Sequence, residues 1–167
     1  MRKTFEVVDG FYAHPETLRA RALREDTQPY IDPDAVARIR QLLGMTADRL
    51  HLRVDAGRFV IRGENVPADD GPKQDEADWV ALAFLSTAEP PGSGLSFWQV
   101  PNTRQPSVSP APTAFIPVRH NRLVLYRPAA LSRQATAGFG RLPAEAWLHH
   151  DLRFDVRPGQ EGQARAQ

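Results

Sequence analysis

The sequence predicts an α+β chain that is mainly β, an antiparallel sandwich or barrel backed by two N-terminal helices. Three observations carry this reading. Both helix-start signals, His14-Pro15-Glu16 and Asp32-Pro33-Asp34, lie before Gly44. From Arg49 onward the apolar residues alternate or cluster in short runs, joined mostly by turns. Leu123 to Tyr126 is an unbroken apolar run stopped by Pro128, and it reads as a buried strand at the centre of the sheet.

Thr4 to Val8 reads as the first strand, ended by Asp9-Gly10. Pro15 suits the first position of a helix, where its missing N–H costs nothing, and Glu16 suits the positive end of the helix dipole. Asp32 caps a second helix whose Val36, Ile39, Leu42 and Leu43 form one apolar stripe before Gly44 stops it. Leu50, Leu52 and Val54 then alternate with His51 and Arg53. Asp55-Ala56-Gly57 turns the chain and Arg58 to Arg62 returns, which predicts a hairpin. The stretch 63–78 is acidic and irregular, either a solvated loop or a loop serving a metal. Trp79 to Leu85, Leu95 to Val100 and Trp147 to Val156 read as further strands. Pro101 to Pro112 is too rich in proline for a central strand and reads as a loop or lid. The expected organisation is one domain over residues 1–157 and a disordered tail over 158–167.

Composition narrows the function. With 21 basic and 20 acidic residues in 167, the net charge of +1 gives no basic excess for nucleic acid. There is no cysteine, hence no disulfide, thiol nucleophile or thiolate metal site. No apolar run is long enough to span a membrane, and no signal segment opens the chain, so a cytoplasmic location is expected. Neither a Gly-x-Ser-x-Gly elbow nor a phosphate-binding Gly-Lys-Ser/Thr loop occurs.

The pieces Val7-Val8-Asp9-Gly10-Phe11-Tyr12 with Pro15 and Leu18, Trp79 to Leu85, Gly94 to Phe97, and Asn121 to Tyr126 together resemble the prolyl-hydroxylase-like 2-oxoglutarate/Fe(II) oxygenases, in particular a bacterial branch of them. The resemblance runs over roughly residues 5 to 156. It implies a double-stranded β-helix, or jelly roll. It also implies a His-x-Asp pair and a distal His for iron, and an Arg that forks onto the 2-oxoglutarate carboxylate. Here the pattern departs. The His-x-Asp slot falls at Pro67-Ala68-Asp69, the distal His slot at Ser132 or Arg133, and the carboxylate-binding slot at about Trp147. Arg133 offers a metal no lone pair. The implied protein keeps the fold without the ordinary iron chemistry.

Other residues offer chemistry. His14 reads as a helix-start residue, His51 as solvated and His120 as a strand-end residue. On the last strand Trp147, His149, Asp151 and Arg153 share one face, and Leu148, His150, Leu152 and Phe154 the other. In the resembled fold the first set faces the barrel lumen. With Arg133 it forms a candidate site for a polar or aromatic small molecule; the competing reading has these residues facing water. A relocated metal site would use Asp69, His149 and Asp151. The favoured reading is therefore a small-molecule-binding or accessory protein with no cofactor expected. One alternative is an active dioxygenase or other metalloenzyme using Fe(II) and 2-oxoglutarate through relocated ligands. Another is a protein–protein interaction module engaging a partner protein through Pro101–Pro112.

Overall fold

A computed structural model of the protein describes residues 3–24, 28–101 and 111–158. Two helices, α1 (Pro15–Ala22) and α2 (Pro33–Leu43), follow the first strand, β1 (Phe5–Asp9). The remaining strands are β2 (Leu50–Leu52), β3 (Arg58–Arg62), β4 (Trp79–Phe84), β5 (Gly94–Gln99), β6 (Ala114–Pro117), β7 (Arg122–Tyr126), β8 (Leu131–Ala135) and β9 (Trp147–Val156). The Asp32 side chain accepts from Asp34 N at 3.1 Å, and Gly44 takes the left-handed conformation (φ 63°) that ends α2. No described helix is long and apolar enough to cross a membrane. Most of Pro101–Pro112, and the tail from residue 159, lie outside the described residues.

The strands form two antiparallel sheets. The larger runs β1-β7-β4-β9-β2, with β3 also on β9; the smaller runs β6-β5-β8. One face of the large sheet (Ala81, Ala83, Leu123, Leu125, Leu148, Leu152, Phe154) packs on Leu18, Ala22, Val36 and Ile39 of the helices. The other face (Val80, Leu82, Phe84, Val124, Tyr126, Trp147) packs on Leu95, Phe97, Leu131 and Ala135 of the small sheet. The result is three layers, helices on sheet on sheet, in a mainly β jelly-roll architecture.

Three expectations need correction. The centre of the large sheet is β4, buried along its whole length between β7 and β9, while β7 is one strand nearer the edge. The hairpin does not form. β2 and β3 pair in succession with the same strand, Leu50 to Leu52 against Val156 to Phe154 and Arg58 to Arg62 against Asp151 to Trp147. Because β9 is ten residues long, it offers an edge to both. The segment between them stays attached to that edge through Arg53 N to Arg153 O (2.8 Å) and Gly57 N to Asp151 O (2.7 Å). Val54 leaves the alternation and is fully exposed, since β2 ends at Leu52. The third correction adds β6, only four residues long and ending in proline, and β8, whose middle is polar; the strand reading passed over both.

Candidate functional site

β9 carries the site because its alternation separates two environments. Leu148, His150, Leu152 and Phe154 turn towards the helices, and Trp147, His149 and Asp151 towards the small sheet. There a cavity of about 240 Å³ is lined by Val60 and Arg62 of β3, Asp69 and Lys73 of the 63–78 loop, Leu95, Arg133 and Ala135 of the small sheet, and Trp147, His149, Asp151 and Arg153 of β9. His149 and Asp151 are 5% and 9% exposed, so they do not face water at a sheet surface.

The imidazole of His149 has a defined tautomer. Trp147 Nε1–H donates to His149 Nδ1 at 2.8 Å, which places the ring proton on Nε2. Nε2 has no partner among the described residues. Burial, followed by the positive fields of Arg133 and Arg62, drives the His149 pKa down to about 3, so the ring is neutral at ordinary pH. The Arg62 guanidinium lies over the Trp147 indole, 5.3 Å from its centroid, and donates to Thr136 O (3.0 Å) and Pro67 O (3.2 Å). Its Nε–H is buried without a partner among the described residues.

The carboxylates are all engaged. Asp69 accepts from Ala135 N at 2.8 Å and lies 3.4 Å from Lys73 Nζ and 3.8 Å from Arg62. Burial opposes its charge, but the Ala135 amide and these two cations hold its carboxyl below the usual range. Asp75 accepts from the Tyr126 hydroxyl, from Arg133 (2.9 and 3.4 Å) and from Arg153 (3.3 Å). Burial opposes its charge too, but Arg133, the Tyr126 hydroxyl and Arg153 together hold its carboxyl below the usual range. Both oxygens of Asp151 are taken by Arg153 at 3.0 and 3.2 Å.

The acidic loop is therefore not simply solvated. Asp69 N bonds Ala135 O (3.0 Å) and Lys73 bridges Arg133 by 2.7 and 2.9 Å backbone bonds, so the loop covers the free edge of β8 and sends Asp69 and Asp75 inward. Pro67, which the resemblance sets where an iron-binding histidine is expected, is exposed, and Arg133 is spent on Asp75. Among the described residues no three His, Asp or Glu side chains are grouped to hold a metal ion. Asp69, His149 and Asp151 line one cavity, but both carboxylates there are claimed by cations. This donor set does not fit two imidazoles and a carboxylate with open positions.

Of the other histidines, His14 is exposed ahead of α1, His51 bonds Asp48 O (2.7 Å), and His120 bonds Ser86 O (3.1 Å) in the turn before β7. His150 is fully buried on the helix side, accepting from the Tyr12 hydroxyl (2.7 Å) and meeting Tyr30 O (2.8 Å) and Gly57 O (3.2 Å). Sequence reasoning overlooked Arg62 and Asp75. The alternation of Arg58, Val60 and Arg62 marks Arg62 as sharing a face with Val60, whereas nothing local marks Asp75, whose partners are more than fifty residues away. A larger crevice of about 410 Å³ lies between α2 and the loop after β1. Arg38 there is held by Gly10 O and Phe11 O and Asp32 by Asp34 N, and no buried unpartnered polar atom lines it among the described residues, so the cavity between the sheets is the better candidate.

No family model matches the sequence and no curated protein matches it. Solved structures do match the fold. HygX from Streptomyces hygroscopicus with iron bound is similar at TM-score 0.50 and 16% identity, over 93% of this chain and 83% of that one. HygX with nickel, 2-oxoglutarate and hygromycin B bound gives TM-score 0.51 and 14% identity, over 93% and 84%. The viral collagen prolyl hydroxylase of Paramecium Bursaria Chlorella virus-1 gives TM-score 0.50 and 12% identity, over 93% and 91%. At these identities the likeness is one of fold.

Proposed function

We propose that this chain, whose fold is that of the 2-oxoglutarate/Fe(II) oxygenases, binds a small molecule between its sheets without the iron site usual to that fold, and acts as a binding or accessory protein. One observation carries the reading. Around the cavity every carboxylate oxygen already meets a cation, a hydroxyl or a backbone amide, while the unpartnered polar groups are donors, His149 Nε2–H and Arg62 Nε–H. A divalent cation needs free acceptors; this cavity offers free donors.

The test is the metal content of anaerobically purified protein after exposure to Fe(II), together with thermal-shift titrations of Fe(II) and Mn(II) with and without 2-oxoglutarate. A small-molecule collection is screened by the same shift. A ligand that binds only the folded state raises stability by about 2.7 kcal/mol at a hundredfold excess over its dissociation constant, which is readily seen. The expected result is no 2-oxoglutarate-dependent metal shift, with stabilisation by a small molecule that is lost in His149→Phe. Stoichiometric Fe(II) with turnover of 2-oxoglutarate would overturn the reading and favour ligation through Asp69, His149 and Asp151.

A further inference from the structure

We infer that the ligand of this cavity is a short-chain monocarboxylate, its oxygens held by His149 Nε2–H and the Arg62 guanidinium and its carbon chain against Val60, Leu95 and Ala135. This rests on the reading of the cavity as a binding site and adds the chemical class. Three features select that class.

The first is hydrogen-bonding capacity. A buried donor without a partner costs free energy that a ligand acceptor recovers; Arg62 Nε–H is such a donor, and His149 Nε2–H, without a partner among the described residues, lines the same cavity. The second is charge. Arg62, Arg133 and Arg153 are balanced by Asp69, Asp75 and Asp151, and Lys73 at the exposed mouth leaves one positive charge over. His149 stays neutral and adds none, so one negative charge completes the site. A dianion would leave one negative charge uncompensated. The third is size. At roughly 30 Å³ per water, a cavity of about 240 Å³ holds about eight waters, or a small ligand of about that many heavy atoms. Val60, Leu95 and Ala135 give a short hydrocarbon tail an apolar stretch of wall beside the charged groups.

The experiment titrates the full chain at neutral pH with propionate, its neutral isostere propionamide, and succinate. Melting temperature is read alongside the imidazole ¹⁵N resonances of His149. Propionate is expected to raise the melting temperature saturably and to move the His149 Nε2 resonance, with propionamide and succinate at least tenfold weaker. Arg62→Lys keeps the charge but loses the Nε–H donor, and it should weaken propionate about tenfold while leaving the fold intact. His149→Phe, checked for folding by its amide spectrum, should do the same. Propionamide binding as tightly as propionate, or succinate binding more tightly, would overturn the monocarboxylate and leave the cavity as a site for another class. Should none of these, nor any member of the wider small-molecule collection, move the His149 resonance, the binding reading itself falls.

Discussion

Asp75→Asn tests the ion network most directly. Asparagine keeps the size of the side chain and an oxygen for the Tyr126 hydroxyl, but it removes the charge that compensates Arg133 and Arg153. Arg153 retains Asp151, whereas Arg133 has no other carboxylate within ion-pair distance among the described residues. Removing one partner of a buried pair costs about 3–5 kcal/mol. With the Arg133 side chain 17% exposed, the lower end of that range applies. For a domain of this length, about 3 kcal/mol corresponds to a fall in melting temperature of about 6–12 °C. Calorimetry at pH 7 measures it. The sign with pH follows from the lowered pKa: the Asp75 contribution is fully present above the unfolded carboxyl value of 3.8 and is lost as pH falls through the folded one. The gap between wild type and variant should therefore be constant from neutral pH down to about pH 5 and close below about pH 4. Asp75→Asn/Arg133→Met, which removes both charges, should regain more than half of the loss. A drop under about 2 °C, or a double variant no better than the single one, would refute the reasoning.

Three further outcomes are expected. Tyr12→Phe leaves His150 Nδ1 buried without its donor and should cost about 1–3 kcal/mol by urea unfolding, with little change in propionate binding because His150 faces the helices. Asn121 sits at φ 59° and clasps Tyr12 through side-chain bonds of 2.8 and 2.9 Å. Asn121→Gly keeps that backbone conformation yet should lose about 1–2 kcal/mol in the same assay, and a neutral result would show the clasp to be dispensable. For His149, whose folded pKa is about 3 against an ordinary 6.5, stability should fall as pH drops below 6.5, by up to about 1.4 kcal/mol per unit from this group, because only the unfolded chain takes up the proton. Imidazole ¹⁵N spectra should show a single neutral tautomer at pH 5; a protonated ring there would contradict the burial argument.

The parts of the fold legible in the sequence were those specified by neighbours along the chain. The Asp32 cap and Gly44 stop delimit α2, and the apolar run of β4 and the alternation of β9 identify themselves. What local pattern cannot state is which strand a segment pairs with. The alternation around residues 50–62 predicts two strands correctly and a hairpin wrongly, because β9 competes for both and is long enough to take them. β8 escapes notice since Ser132, Arg133 and Gln134 give it little apolar signal; Arg133 serves the cavity and Gln134 bonds Asp69 O at 2.8 Å. The site divides the same way. The shared face of Trp147, His149, Asp151 and Arg153 follows from strand period, whereas Arg62 and Asp75 join it only through tertiary structure.

The pairing scheme also dictates an order of events in folding. Among the described strands none of the first five pairs with another of that group: β1 waits for β7, β2 and β3 wait for β9, β4 needs both, and β5 waits for β6 and β8. A chain emerging from the ribosome thus has most of its apolar strand sequence outside before any described strand has a mate, and the last strand closes three pairings at once. Such non-local closure belongs to the slow end of the folding-rate range and depends on completed synthesis. A truncation before Trp147 would leave β2 and β3 unpaired and β4 with one bare edge, a species destined for chaperones or aggregates.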